Sequence, residues 1–148
     1  MGLLGTMDIG RDAVYVHGKR IQIAAANMAN IETPNYIRKI PIINSTESTS
    51  FAGVMNSMRS SVFATGSIPM SNAGVALTGI VEDPTLGEKI HQPGHPDADE
   101  QGYIRSSNVN PMVEIADATL ARRAYEANAA IITITKAMTQ KALEIGRQ

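Results

Sequence analysis

Four side chains that can bind a metal ion lie close together in the sequence. His91, His95, Asp97 and Asp99 offer imidazole nitrogens and carboxylate oxygens within nine residues, and such atoms bind zinc and other divalent metals in proteins. Prolines and a glycine separate them, which is typical of a loop whose polar side chains are solvated. We therefore interpret the stretch as a solvated loop and predict no metal site.

No other group of residues indicates catalysis or a bound cofactor. The chain has no cysteine, so thiolate nucleophiles, disulfides and cysteine-ligated zinc sites are excluded. It contains neither a nucleophile elbow nor a phosphate-binding glycine loop, and its carboxylates form no spaced pair. His17 lies on a partly apolar line of a predicted helix, where we expect a hydrogen-bonded packing role. The sequence predicts a protein that is not an enzyme.

The charge balance argues against nucleic acid and membranes as partners. Lys and Arg number 13 against 14 Asp and Glu, a net charge of −1, so no broad positive field attracts phosphates or anionic lipid. Half of the longest uncharged run, residues 60–81, is Ser, Thr, Gly, Pro or Asn, which a bilayer core tolerates poorly. Residues 1–12 lack the pattern of a secretory signal. We expect no membrane insertion and no cleaved signal peptide.

The N-terminal region, from about Leu4 to Ile31, has the apolar pattern of a helix. One line, which we call the N-terminal seam, repeats every seven residues and stays on one side of the helix. It consists of Met7, Val14, Ile21 and Met28. A second line lies nearly opposite, so one partner would not cover both; it consists of Ile9, Ala13, Val16 and Ile23. We expect the helix to end at Thr33, because Pro34 disfavours a helical residue before it, with Asn30 as a left-handed C-cap.

Residues 36–110 have no helical period and predict a small β segment. Residues 36–43 have the composition of a strand, and residues 75–81 alternate well enough for another. A turn follows the second of these, and residues 102–105 predict a third short strand. The expected result is a small β element inserted between two helices.

The stretch 44–72 is rich in serine and threonine and has no steady apolar period. Its few apolar side chains offset little of the conformational entropy that ordering would cost. We therefore expect either a long surface excursion or a partly mobile insert; a weak helical pattern occurs at residues 51–58.

The C-terminal region, from Pro111 to about Ile145, carries the strongest pattern in the sequence. Apolar residues recur at alternating steps of four and three, which places them on one side of a helix roughly 50 Å long. Asn110 suits the N-cap, Pro111 the first helical residue and Gly146 the position after the end. We call the apolar members of this line the C-terminal seam: Val113, Leu120, Ala124, Ala127, Ile131, Ile134, Met138 and Ile145.

These patterns together predict an α+β fold that is mainly α. Long N- and C-terminal helices would pack as a coiled-coil-like pair, with a small irregular β segment inserted between them. The expected divisions are residues 1–35, 36–110 and 111–148. Two helices packed only on each other would leave apolar lines in water, and this favours self-assembly through the two seams. On periodicity alone, the core stripe of an ordinary helical bundle is the alternative.

The motif at the end of the first predicted helix resembles one shared by flagellar rod, hook and hook-associated proteins. Residues 25–36 read AANMANIETPNY. That family usually reads alanine-asparagine, an apolar residue, alanine-asparagine, then threonine-proline-glycine-tyrosine. Asn35 replaces the glycine, and asparagine tolerates the positive φ that such a turn requires. The motif residues, which either contact other subunits or only terminate the helix, are Asn27, Asn30, Thr33, Pro34 and Tyr36.

Two later segments resemble the proximal-rod members of the same family. Residues 93–114 contain the first segment and residues 123–128 form the second. The residues that carry this resemblance are Gly94, Pro96, Gly102, Tyr103, Asn108, Val109, Glu114, Tyr125 and Asn128. The resemblance covers most of residues 21–148, except the stretch 44–72.

The resemblance implies a structural subunit of the flagellar basal-body rod that helps to transmit torque and needs no cofactor. The implied partners are copies of the chain itself, other flagellar rod proteins and the flagellar type III export apparatus, which would deliver it from the cytoplasm to the periplasmic rod. The terminal helices would form the inner core of the rod, and residues 36–110 its outer side. Two alternatives stay open: a different proximal-rod protein of the family, or a soluble helical adaptor that binds one partner through its C-terminal helix.

Overall fold

The computed structural model describes residues 3–45 and 74–146. It contains two long helices, α1 at Leu3–Ala29 and α2 at Pro111–Ile145. Four strands lie between them in the chain: β1 at Lys39–Ser45, β2 at Val75–Glu82, β3 at Lys89–His91 and β4 at Tyr103–Arg105. The predicted fold class is confirmed. The predicted helix at residues 51–58, and all but the first two residues of the stretch 44–72, lie outside the described residues.

α2 begins and ends where the sequence predicts. The side-chain oxygen of Asn110 accepts hydrogen bonds from the backbone N–H groups of Met112, at 3.0 Å, and Val113, at 3.4 Å, so free donors of the first turn are satisfied. Pro111 occupies the first position, where no N–H is needed. Gly146 follows the last helical residue with φ −73, so it ends the helix without adopting the left-handed conformation.

α1 ends at Ala29, before the predicted end at Thr33. Asn30 Nδ2 donates to the carbonyl of Ala26 at 2.8 Å, so a side chain satisfies a carbonyl that the next helical turn would otherwise use. The left-handed residue is Asn35, with φ 60, and not Asn30 as predicted. The chain therefore turns earlier than Pro34 alone would require.

The strands form two antiparallel pairs, β1 with β2 and β3 with β4. We call the first pair the ribbon. In it Lys39 lies opposite Glu82. The register shifts between Ile42, which pairs with Gly79, and Ile43, which pairs with Leu77. Pro41 is tolerated because each strand of a two-stranded pair is an edge strand. β2 and β4 agree with the prediction, β1 begins at Lys39 instead of residue 36, and β3 was not predicted.

α1 and α2 pack antiparallel and very close together. A Cβ added to Gly10 would lie 2.8 Å from Ile132 Cγ1, so the absence of a side chain lets the helices approach. Near the other end of the pair, Asn27 bonds to Glu114. On this register the last residues of α2, 140–145, extend past the start of α1, and all are exposed. We call these residues the overhang.

Candidate assembly surface

The side of α2 that faces α1 lies one residue out of step with the C-terminal seam. We call this side the inner stripe. Its members recur at steps of four and three, and most are buried or half-buried: Glu114, Ala118, Ala121, Tyr125, Asn128, Ile132, Thr135 and Thr139. Ala121 has no exposed surface. The inner side of α2 is thus made mostly of small or polar residues.

The C-terminal seam lies about 100° round α2 from the inner stripe, and its large side chains are exposed. Leu120, Ile134 and Ile145 retain 58%, 59% and 75% of their exposure. The other exposed members are Val113, Ala127, Ile131 and Met138, whereas Ala124 is half-buried. The largest aliphatic side chains of α2 therefore point away from its partner helix.

The N-terminal seam is less exposed than the C-terminal seam. Its members Met7, Val14 and Ile21 are half-buried, and Met28 is exposed. The opposite line of α1 is more deeply buried, at Ala13, Val16 and Ile23, with Ile9 half-buried. The line that we predicted as a second exposed side of α1 thus belongs to the interior of the subunit.

Asn27 is fully buried near the end of α1, and all of its hydrogen-bonding positions are used. Its Nδ2 donates to the Lys39 carbonyl at 2.9 Å and to Glu114 Oε2 at 3.1 Å. Its Oδ1 accepts from the Lys39 N–H at 3.0 Å and from the Tyr36 hydroxyl at 3.1 Å, which exhausts the capacity of an amide. Burial, followed by the Glu114 and Glu82 carboxylates, raises the pKa of Tyr36, so its hydroxyl keeps the proton that it donates.

Arg38 joins three parts of the chain, and sequence reasoning missed it. Its Nε donates to Glu114 Oε1 at 2.6 Å. The other guanidinium nitrogens lie 3.4 Å from Asp117 and 3.8 Å from Asp83. The Glu114 side chain is only 3% exposed, against 45% for Asp117 and 19% for Asp83, so the Glu114 bond is the one most shielded from water. No motif in the sequence had singled out this arginine.

Asn108 ties the loop before α2 to the same place. Its Oδ1 accepts from the Arg38 N–H at 2.6 Å, and its Nδ2 donates to the Thr85 carbonyl at 2.8 Å. The Thr85 N–H, and then the Thr85 hydroxyl, lower the pKa of Asp83, with a smaller contribution from Arg38. Three motif residues therefore meet around Arg38: Asn27 from the end of α1, and Asn108 and Glu114 from the start of α2 and the loop before it. We call Asn27, Arg38 and Glu114 the Arg38 junction.

The remaining motif residues lie apart from this junction. Thr33 Oγ1 donates to Asn30 Oδ1 at 3.3 Å in the turn after α1. Gly102 has φ +78, a conformation that favours glycine. Asn128 Nδ2 donates to the Ala124 carbonyl within α2. Of the others, Pro34 is half-buried and Val109 is buried. The exposed ones are Gly94, Pro96, Tyr103 and Tyr125.

Three of the four side chains that suggested a metal make other contacts, and Asp97 lies 3.8 Å from His95. The His91 ring packs against Tyr103, with centroids 4.9 Å apart, and His95 Nδ1 accepts from the Asp97 N–H at 3.1 Å. Asp99 accepts from the Tyr103 N–H at 2.8 Å, the bond that most lowers the pKa of Asp99. Within residues 3–45 and 74–146, no three His, Asp or Glu side chains come together to hold a metal ion.

His17 does not make the hydrogen bond that we expected. Its Nδ1 is buried and has no hydrogen-bond partner in the part of the chain that the structure describes. The expected hydrogen bond is therefore absent at this nitrogen among the described residues. Burial, and then the charge of Arg20, lowers the pKa of His17.

Comparison with known proteins identifies the family. Residues 100–145 match the family described as "Flagellar basal body rod FlgEFG protein C-terminal". The chain is 32% identical to the flagellar basal-body rod protein FlgC of Bacillus subtilis, over 96% of this chain and 97% of that protein. The chain belongs to the FlgC family of flagellar basal-body rod proteins. FlgC of Yersinia enterocolitica is 30% identical over 99% of this chain and 100% of its own, and FlgC of Aquifex aeolicus is 28% identical over 97% of each.

FlgC membership confirms the resemblance that the motifs carry and makes the chain a structural protein of the flagellar basal-body rod. It also decides between the proximal-rod proteins that the sequence analysis left open. Among the described residues, no helix has the length and apolar character needed to cross a membrane.

Proposed function

We propose that this FlgC-family chain is a non-enzymatic subunit of the proximal rod that polymerises with copies of itself and with other rod proteins through its two seams. The exposed C-terminal seam carries the proposal. Large aliphatic residues such as Leu120 and Ile134 remain more than half exposed, while the inner stripe beside them is small and polar. A contiguous exposed apolar surface is typical of a protein–protein contact.

Burial of the C-terminal seam would add a substantial favourable free energy to each contact. Covering a Leu, Ile or Met side chain fully contributes about 1.5–3 kcal/mol, and the seam exposes several of them. Part of this gain is offset by the entropy that association costs. A contact between two different surfaces that does not close into a ring gives an open filament, which is the form that a torque-transmitting shaft requires.

In this proposal the chain reaches the periplasmic part of the rod through the flagellar type III export apparatus. Residues 1–35 and 111–148 form the inner core, and residues 36–110 face outward. Membership in the FlgC family supports the assignment to the rod. The exposed seam on α2 supports a position for the helices among neighbours, because such a surface is unfavourable in water.

The proposal is tested by placing charge on the C-terminal seam in a strain that lacks its own copy of the gene. Ile131→Asp and Ile134→Asp should each abolish rod assembly and swimming, while the variant chains are still exported. Thr133→Asp is the matched control, because Thr133 is exposed and lies about 200° round the helix from Ile131. Motility, isolated basal bodies and export of each variant are the measurements.

Circular dichroism melting of the purified variants separates assembly from folding. All three aspartate variants should melt close to the wild type, because the substituted side chains are exposed and exposed substitutions change stability little. Normal swimming with both seam variants would contradict the proposal. Capture of one unrelated protein in a one-to-one complex, with flagella unaffected by deletion, would favour the soluble adaptor instead.

A further inference from the structure

We propose that the Arg38 junction sets the orientation of the ribbon on the helix pair, and that it does so at little or no gain in the stability of the fold. Arg38, Asn27 and Glu114 are then positioning residues for the outer part of the subunit. The consequence for motility rests on the proposed function above, whereas the consequence for the shape of the subunit does not.

The junction links each of three elements to the other two. Asn27 of α1 bonds to the backbone of Lys39 at the start of β1, at 2.9 and 3.0 Å, and to Glu114 of α2 at 3.1 Å. Arg38, which precedes β1, closes the triangle on Glu114 at 2.6 Å. Amide and guanidinium groups bond only in fixed directions, so three such links specify an angle as well as a distance.

An open groove interrupts the apolar packing of the ribbon next to the junction. The groove, of about 370 Å³, lies between α1, β1 and α2, and Ile23, Ile40 and Ile43 are among its lining residues. Apolar contact is non-directional, and a ribbon that packs loosely over such a groove could rotate. The directional bonds beside the groove are therefore the contacts that hold the ribbon at one angle.

The energetics of buried charge support positioning over stabilisation. Glu114 retains 2% of its exposure, so its charge has been removed from water and Arg38 must compensate the loss. Replacing a whole buried ion pair by apolar side chains of similar size is often neutral or stabilising, whereas removing one partner is strongly destabilising. The junction should therefore behave differently when one partner is changed and when both are changed.

The test measures distances between spin labels in the full-length chain. The chain has no cysteine, so introduced cysteines are labelled uniquely. Ile80→Cys on β2 and Thr119→Cys on α2 report the angle of the ribbon, and Ala25→Cys with Ala130→Cys reports the helix pair. All four positions are exposed. Each pair is measured in the wild-type, Arg38→Met, Arg38→Lys and Arg38→Met/Glu114→Met backgrounds.

We expect Arg38→Met to lower the melting temperature and the double methionine variant to recover part of that loss. Recovery is partial because Glu114→Met removes the unpaired carboxylate but also removes the acceptor of one Asn27 Nδ2 proton. The ribbon-to-helix distance distribution should nevertheless be broadened or displaced in the double variant, with the helix-to-helix distribution unchanged. Arg38→Lys keeps the charge but lacks the planar fork, so it should fold and still broaden the ribbon distribution.

A wild-type ribbon distribution in the double variant or in Arg38→Lys would overturn the inference. So would a double variant that melts as low as Arg38→Met, because the junction would then be needed for stability. In motile cells, the double variant should lose rod assembly, and normal swimming would overturn the functional part. If the seam variants swim normally while the spin-label results hold, the proposed function fails and the positioning role stands.

Discussion

The inner stripe and the C-terminal seam run side by side along α2, one residue apart, with opposite compositions. The inner stripe is covered by α1 although it contains polar residues. Two of those residues bond within α2 itself, since Asn128 donates to the Ala124 carbonyl and Thr135 to the Ile131 carbonyl, both at 2.8 Å. The buried carboxylate of Glu114 instead accepts from Asn27 of α1 at 3.1 Å, as a buried polar group requires a partner. The seam carries the aliphatic residues and is left in water. In this chain the strongest apolar period marks the surface that is free for other molecules, and small residues make the contact within the subunit.

Substitutions at two neighbouring residues, one in the inner stripe and one in the C-terminal seam, should differ most in their effect on the free energy of unfolding. Ala121→Leu should lower the free energy of unfolding by about 1–3 kcal/mol, because extra volume must be forced into a closely packed interface. Leu120→Ala should change it by only about 0.5 kcal/mol or less, since Leu120 is 58% exposed. Urea denaturation followed by circular dichroism measures both. An equal loss in the two variants would remove the distinction between the stripes.

A pair of substitutions tests how closely α1 and α2 approach each other at Gly10. Gly10→Ala gains roughly 0.8–1.0 kcal/mol in helix propensity, but the new Cβ would lie 2.8 Å from Ile132 Cγ1. We expect a net destabilisation of about 1 kcal/mol, because the helices must separate. In an Ile132→Ala background the overlap is gone, and Gly10→Ala should raise stability. A double-mutant cycle by urea denaturation measures this coupling, and stabilisation in both backgrounds would show that the approach is not tight.

The smallest expected effect is a change in the pH dependence of stability caused by His17, which lies on α1. Burial lowers the pKa of His17 in the folded chain, so between about pH 6.5 and that lower value the unfolded chain binds a proton that the folded chain does not. Stability should therefore fall as the pH is lowered through this window. His17→Gln should reduce the pH dependence of the urea midpoint, and His91→Gln, at an exposed position, is the control. Identical pH profiles for wild type and His17→Gln would contradict the lowered pKa of His17 in the folded chain.

The helix boundaries show what local sequence can predict. α2 was predicted at both ends because Asn110, Pro111 and Gly146 act on their own neighbours. The end of α1 was predicted too far along the chain. The side-chain amide of Asn30 bonds to the Ala26 carbonyl and the helix ends at Ala29, several residues before Pro34. β3 was missed although β4 is equally short; β3 is a strand because it pairs with β4, a contact between segments that local sequence does not show.

The Arg38 junction shows what local sequence cannot predict. Arg38 and Glu114 are 76 residues apart in the chain; the resemblance named Glu114 as a motif residue, but nothing in the sequence connected it with Arg38. The available signal was indirect, since Glu114 interrupts a line of mostly small or half-buried residues that a charged side chain enters only with a partner. Periodicity located the C-terminal seam of α2 but not the inner stripe that faces α1, because small and polar residues do not register as an apolar line.

The overhang of α2, residues 140–145, determines how a solitary subunit behaves. The register set by Gly10 and Ile132 places these turns beyond Leu3. Among the described residues, the side-chain bond within these turns is the ion pair of Lys141 with Glu144 at 2.7 Å, a contribution of about 0.2–0.5 kcal/mol. Turns held so weakly unwind readily, so within α2 their amide protons should exchange first and trypsin should cleave first near Lys141. If the proposed assembly covers these turns, the most labile end of α2 becomes protected from unfolding in the polymer.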